Sequence, residues 1–186
     1  LENRELFDEE KLHLTLSRLC AQLSETYGDF ENTVLLGLQP RGVRFAKRIH
    51  SLLLHMYPGI EIPYGELDVT FFRDDFRRKE SPLVANQTNI QFLLEKKRVI
   101  LIDDVLYTGR TIRSAMDAML SFGRPSNVKL LVLVDRNRKR ELPVQADFCG
   151  LTVDTLDNEK VLVEWAEQGG KDSVRIQIRE NKKAES

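Results

Sequence analysis

Ile100-Leu101-Ile102-Asp103-Asp104-Val105-Leu106-Tyr107-Thr108-Gly109-Arg110-Thr111 is the stretch whose reading decides the class of fold. With Arg98 and Val99 before it, the run to Ile102 has the length and β-branched character of a fully buried strand. The strand ends in two adjacent carboxylates, and four residues later a Thr-Gly-x-Thr turn opens a helical pattern. That pattern covers 110–122, with Ile112, Ala115, Met116, Met119 and Leu120 as its apolar stripe, and Gly123 and Pro125 stop it. A buried strand that feeds a helix through a short polar loop is half of a parallel βαβ unit.

The same alternation continues on both sides. Upstream, 8–27 reads as an amphipathic helix capped by Asp8 and ended by Gly28. Thr33-Val34-Leu35-Leu36-Gly37-Leu38 reads as a buried strand, Gln39-Pro40-Arg41-Gly42 as a turn, and 43–55 as a second helix. The alternating Leu67–Phe72 predicts another strand, and 73–97 is polar, charge-rich and irregular. Downstream, Val128–Val134 is a further buried strand, and the tail holds two strands, Val161–Trp165 and Val174–Ile178, around Gly169-Gly170. The fold class is α/β, a parallel sheet covered by helices. Its chemistry belongs beyond the carboxyl ends of the strands, at 39–42, 103–111 and 135–140.

Composition agrees with one domain. The 186 residues are 41% hydrophobic and 31% charged, and 28 Lys and Arg nearly balance 29 Asp and Glu. This excludes a globally basic nucleic-acid binder and general disorder, though it allows a local basic patch. No apolar run is long enough to span a membrane, and the polar Leu1-Glu2-Asn3-Arg4 lacks a signal-peptide core, so a cytoplasmic protein is expected. The missing initial Met suggests a trimmed start. Cys20 and Cys149 stand far apart with no metal-ligand spacing, which points to free thiols in a reducing compartment.

The loop at 103–111 suits a phosphorylated sugar. Backbone N–H groups at a helix start, with the Thr108 and Thr111 hydroxyls, make a phosphate pocket, and Gly109 permits close approach. Asp103 and Asp104 are acceptors for a vicinal diol and favour positive charge developing beside them. Phosphate at one end and diol at the other describe a ribose 5-phosphate. The plainer reading is that the two acids only cap the next helix. Competing phosphate motifs fail: no Gly-x-Gly-x-x-Gly occurs, and the Gly37–Gly42 spacing of a P-loop is followed by Val43-Arg44 instead of Lys-Ser/Thr. His13, His50 and His55 lie on predicted helices away from these loops, so no imidazole base is expected, and Trp165 reads as packing.

The run 103–111 is similar to the phosphoribosyl-pyrophosphate (PRPP) signature of type I phosphoribosyltransferases. Leu36–Val43, Asp68–Asp75, Val105–Thr111, and Leu133–Arg136 through Arg140-Glu141-Leu142-Pro143 look like the PyrR family of bifunctional pyrimidine-operon attenuators with uracil phosphoribosyltransferase activity. The resemblance runs in order from about residue 6 to 178. It implies the type I phosphoribosyltransferase fold over a single domain, 1–186. That domain has a flexible lid at about 73–90 and a small β hood formed mainly by the tail, 150–180.

The resemblance also implies roles. Thr108, Gly109, Arg110 and Thr111 hold the 5′-phosphate, with Val105, Leu106 and Tyr107 leading into that loop. Asp103 and Asp104 hold the ribose hydroxyls, and Arg41 with Gly42 meets the pyrophosphate. Arg73, Asp74 and Asp75 begin the lid, which excludes water. Mg²⁺ accompanies PRPP, and the reaction is uracil plus PRPP giving UMP plus pyrophosphate. Without the resemblance, Arg41 reads equally as a turn residue and 73–75 as a solvated charge run. Asp135 and Arg136 either line a base pocket or form a strand-end ion pair. Further implied partners are UTP, a pyrimidine-operon leader mRNA and further copies of the chain, as a homodimer or higher homo-oligomer. The basic residues Arg136, Arg138, Lys139 and Arg140 either meet RNA phosphates, form a solvated loop, or rim the nucleotide site. Two departures stand out: Gln39-Pro40 replaces a usual Lys or polar residue before the Arg-Gly turn, and Leu151–Thr155 replaces a Lys-Asn stretch of the family's RNA-contacting face.

Overall fold

The computed structural model describes residues 4–72 and 88–178. Its centre is a five-stranded parallel sheet in the order β3-β2-β4-β5-β6. The strands are β2 (Thr33–Leu38), β3 (Tyr64–Leu67), β4 (Arg98–Leu106), β5 (Asn127–Arg136) and β6 (Phe148–Val153). A three-stranded antiparallel sheet, β1-β8-β7, forms the hood from β1 (Arg4–Phe7), β7 (Glu159–Glu164) and β8 (Ser173–Ile178). The helices are α1 (Glu9–Tyr27), α2 (Gly42–Met56) and α3 (Arg110–Met119). Among the described residues no helix is long and apolar enough to cross a membrane.

The central strands are apolar on both faces because both faces are covered. All six residues of β2 are buried. Ile100 and Ile102 of β4 join a core with α1, α2 and the hood, where Leu16, Leu19, Phe45 and Ile49 meet Val161, Trp165 and Ile176. Val99 and Leu101 join the opposite core with Ile112, Ala115 and Met119 of α3. Each large buried side chain contributes roughly 1.5–3 kcal/mol through removal from water. Asp8 caps α1 by accepting from the Lys11 N–H at 2.8 Å, as its sequence suggested.

Three local expectations change. Leu67–Phe72 does not form a strand. β3 ends at Leu67, and the Asp68 carboxylate accepts from both the N–H (2.9 Å) and hydroxyl (2.6 Å) of Thr70, turning the chain into a short 3₁₀ segment, Thr70–Phe72. This local side-chain bond competes successfully with the sheet ladder. The start of the expected hood segment, through Val153, belongs to the main sheet as β6, while the amino-terminal β1 supplies a hood strand in its place. The strand expected to stop before Asp103 continues to Leu106, so both acids are strand residues.

The hood docks on α2 through one arginine. The Arg48 guanidinium bonds Glu167 at 3.0 and 2.9 Å and Asp172 at 2.6 and 3.0 Å, and lies 5.1 Å from the ring centre of Trp165. Trp165 in turn stacks on Phe45 of α2. This set of contacts holds β7 over the carboxyl ends of the main strands.

Candidate active site

The strand order reverses between β2 and β4, since β2 leads through α2 to β3 on one side and β4 leads through α3 to β5 on the other. Ligands of open parallel sheets bind at such a switch point. A cavity of about 260 Å³ lies there, lined by Arg41, Asp103, the 105–112 segment, Arg136, and Lys160 and Val161 of the hood. Four separate parts of the chain therefore meet: the turn after β2, the end of β4 with its loop, the end of β5 and the start of β7.

The acids do not act as a matched pair. Asp103 lines the cavity, with 7% of its surface exposed. Its Oδ1 accepts the Asp104 N–H at 2.9 Å. Asp104 is more deeply buried: its Oδ1 accepts the Val105 N–H at 2.8 Å, and its Oδ2 lies 3.6 Å from Nε of Arg41. Burial, and then the negative charge of Asp104, push the Asp103 carboxyl well above its ordinary range, while the Asp104 N–H and Arg41 pull it back. Asp103 thus faces the ligand space, and Asp104 anchors the arginine across it.

Gly42 makes this approach possible. A Cβ there would stand 2.7 Å from the Ile102 carbonyl oxygen and 2.9 Å from the Asp103 Cα. Only a hydrogen in that place lets the start of α2 abut the end of β4. At the other wall Gly109 has a φ of +91°, the left-handed region that glycine adopts without strain. It starts α3 without a side-chain cap, as Arg41 starts α2.

The loop around Thr108 is braced from the 135–144 segment. The Thr108 carbonyl accepts the Glu141 and Leu142 N–H groups at 3.0 and 3.2 Å. Arg140 donates to the Tyr107 carbonyl and to Asp135, and Arg110 pairs with Glu141 at 2.6 Å. Asp135 consequently sits in an ion pair beside the site and is not part of the cavity wall. Arg136 is 6% exposed and lies with its guanidinium carbon 3.7 Å from the Tyr107 ring centre. It donates to Thr155 Oγ1 and to the Glu159 carbonyl, both at 2.9 Å.

The four residues of the basic cluster differ in their surroundings. Arg136 is internal and Arg140 is tied beneath the loop, while Arg138 and Lys139 are both exposed, Lys139 in a surface pair with Asp157 at 2.8 Å. Arg73, Asp74 and Asp75 lie outside the described residues, as does most of the expected lid; at its end Asn89 pairs with Glu66. Ile112, Lys160 and Val161 line the cavity without having been singled out in the sequence. For Lys160 and Val161 no local motif marks them, because a hood strand reaches the site only through tertiary packing. His50 bonds the Ile62 carbonyl and stacks on Tyr64, and His13 and His55 are exposed on α1 and α2.

Mg²⁺ is implied by the fold family. Among the described residues no group of three or more His, Cys, Asp or Glu could hold a metal ion. The donors present fit an ion that arrives with a diphosphate and keeps much of its water, with Asp103 as the cavity carboxylate to receive that water shell.

The phosphoribosyl transferase domain model matches residues 2–168. The chain is 43% identical over 176 residues to Bifunctional protein PyrR of Streptococcus uberis, covering 95% of this chain and 98% of that one. It is 42% identical over 173 residues to the Pyrimidine operon regulatory protein of Lactococcus lactis subsp. cremoris, covering 93% and 96%. Among solved structures, the hypoxanthine phosphoribosyltransferase of Trypanosoma cruzi superposes with a TM-score of 0.71 at 15% identity, over 95% of this chain and 97% of that one. That likeness shows the fold alone. The acid-bearing β4, the glycine-started α3 and the relatives lead to one conclusion: the chain belongs to the PyrR family of phosphoribosyltransferases.

Proposed function

We propose that this cavity transfers ribose 5-phosphate from PRPP to uracil, giving UMP and pyrophosphate. One observation carries the reading: Asp103, the Thr108–Thr111 turn and Arg41 open onto a single cavity, whose fourth side is closed by Lys160 and Val161. The turn receives the 5′-phosphate through backbone N–H groups and the two threonine hydroxyls. Asp103 accepts from the ribose hydroxyls, and its charge favours the positive charge that builds on the ribosyl carbon as the bond to pyrophosphate lengthens. Arg41, oriented by Asp104, meets the leaving group. The C1–O bond breaks, the C1–N1 bond to uracil forms, and the N1 proton leaves to solvent. Mg²⁺, bound with the diphosphate, supplies neutralising charge to the leaving group. On the hood side the Lys160 ammonium is a donor for a carbonyl oxygen of a flat base, and Val161 offers it an apolar surface.

The relatives' names support a pyrimidine context and a second, regulatory role at a pyrimidine operon; within that context we assign uracil as the base and UMP- or UTP-responsive binding of the operon's leader mRNA as the second role. The site tests by a base panel: PRPP and Mg²⁺ with uracil, hypoxanthine, adenine or orotate, following pyrophosphate release. Uracil is expected to turn over at least about 100-fold faster than the others; preferred turnover of hypoxanthine overturns the base assignment. RNA binding is expected to strengthen with UMP and to weaken with salt, and equal affinity for an unrelated transcript removes the regulatory role.

A further inference from the structure

Arg136 is an internal cation with partners on two walls of the cavity. Its guanidinium covers the ring of Tyr107, in the loop after β4, at 3.7 Å. The same group donates to Thr155 Oγ1 and to the carbonyl of Glu159, the residue immediately before Lys160. At 6% exposure these contacts are shielded from water, so each is stronger than on a surface. The two walls differ in what else supports them. The Tyr107–Thr108 backbone has its own brace, from Arg140 and from the Glu141 and Leu142 N–H groups. β7 pairs with β8 along its length and is tied by Arg48 through residues beyond its far end, Glu167 and Asp172. Its beginning, where Lys160 and Val161 enter the cavity, pairs within the hood with Ile178, Gln177 and Ile176 of β8, and the Arg136 bond on the Glu159 carbonyl ties it to β5 of the main sheet.

We propose that Arg136 is a positioning residue, which sets the distance between the hood's Lys160–Val161 pair and the sugar-phosphate loop by gripping Glu159 while braced on the Tyr107 ring. Arg136 also borders the cavity, but its bonds to Thr155 and Glu159 run to the hood side. In its action on the base it rests on the transferase reading above. The consequence is selective. Loss of Arg136 removes the tie of the β7 start to β5 but leaves the loop held by its second brace, so recognition of the base suffers and recognition of the sugar phosphate does not.

The test compares the whole chain with Arg136→Gln, and with Tyr107→Leu and Tyr107→Phe, which spare the buried guanidinium should Arg136→Gln fold poorly. Hydrogen exchange is read over 156–161 and 107–110. Arg136→Gln and Tyr107→Leu are expected to raise exchange over 156–161 by about tenfold and to leave 107–110 unchanged, and Tyr107→Phe, which keeps the ring, restores the wild-type pattern. Kinetically, the KM for uracil is expected to rise about tenfold while that for PRPP stays within about twofold. Unchanged exchange over 156–161, an equal rise over 107–110, or parallel rises of both KM values overturns the proposal. A wild-type chain without transferase activity overturns the function reading instead, and the exchange comparison still decides whether Arg136 makes the tie.

Discussion

The two long walls of the cavity are built on different plans. The loop wall, 103–111, is one continuous stretch leaving a strand buried on both faces. The hood wall takes two residues from β7, paired with β8 and packed on the core through Val161, and is joined to the main sheet by Arg48 of α2, with Trp165, and Arg136 of β5. A wall made of contiguous backbone on a central strand is stiff, and suits the part of the substrate common to all PRPP chemistry. A wall brought in from a separate sheet is adjusted by the few side-chain ties that join it to the main sheet, and suits the part that differs between bases.

The largest test of this contrast lies on the stiff wall. Asp103→Asn keeps the shape and removes the charge, and is expected to lower kcat about 100-fold with a smaller change in the KM for uracil. Turnover near wild type would remove the electrostatic role. Next is the junction beneath Arg41. Gly42→Ala places a methyl group against the Ile102 carbonyl and Asp103. It is expected to cost about 1–3 kcal/mol in urea unfolding and to weaken PRPP binding in calorimetry. An Ala variant as stable as wild type would mean that α2 and β4 are not wedged together.

The smallest effect is in acid and base behaviour, where the walls have opposite signs. Asp103 has its pKa raised by burial, so the folded chain holds that proton more tightly than the unfolded one. The stability from this group is full below the ordinary value of 3.8 and is lost as pH rises through the raised one. The Arg48 hydrogen bond holds the Glu167 carboxyl below its ordinary 4.5, so that stability is present above 4.5 and is lost as pH falls through the lowered value. Urea midpoints taken over about pH 3 to 8 should show Asp103→Asn flattening the loss on the rising side and Arg48→Met flattening that on the falling side. The second change is about 0.5 kcal/mol or less, because Glu167 stands largely in solvent that screens the pair. Identical pH profiles for both variants and wild type would dissolve the contrast.

Much of the fold was legible because its signals are local. Helical spacing with Asp8 and Gly28 at the ends marked α1, and unbroken apolar runs marked β2, β4 and β5. The weaker elements escaped. Arg4–Phe7 and Phe148–Val153 are short and mixed in character, and become strands only because β8 and β5 offer open edges. Leu67–Phe72 carries strand-like alternation, yet the Asp68 side chain outbids the ladder for the Thr70 N–H. The site divides in the same way. The acids, the threonine turn and Arg41 were readable as chemistry, whereas the separate duties of Asp103 and Asp104 depend on how β4 meets α2.

By itself, then, the sequence determined the α/β alternation, the family and the acid- and threonine-bearing loop after β4, because these rest on side-chain periodicity and on hydrogen-bonding groups within a few residues of one another. Only the tertiary structure decided that Lys160 and Val161 border the cavity, that Arg136 and Arg140 serve as internal ties, and that the hood borrows its edge strand from the amino terminus. Such contacts join residues far apart along the chain, and whether a charged side chain meets solvent or a neighbour is fixed by packing, which leaves no periodic trace in the order of amino acids.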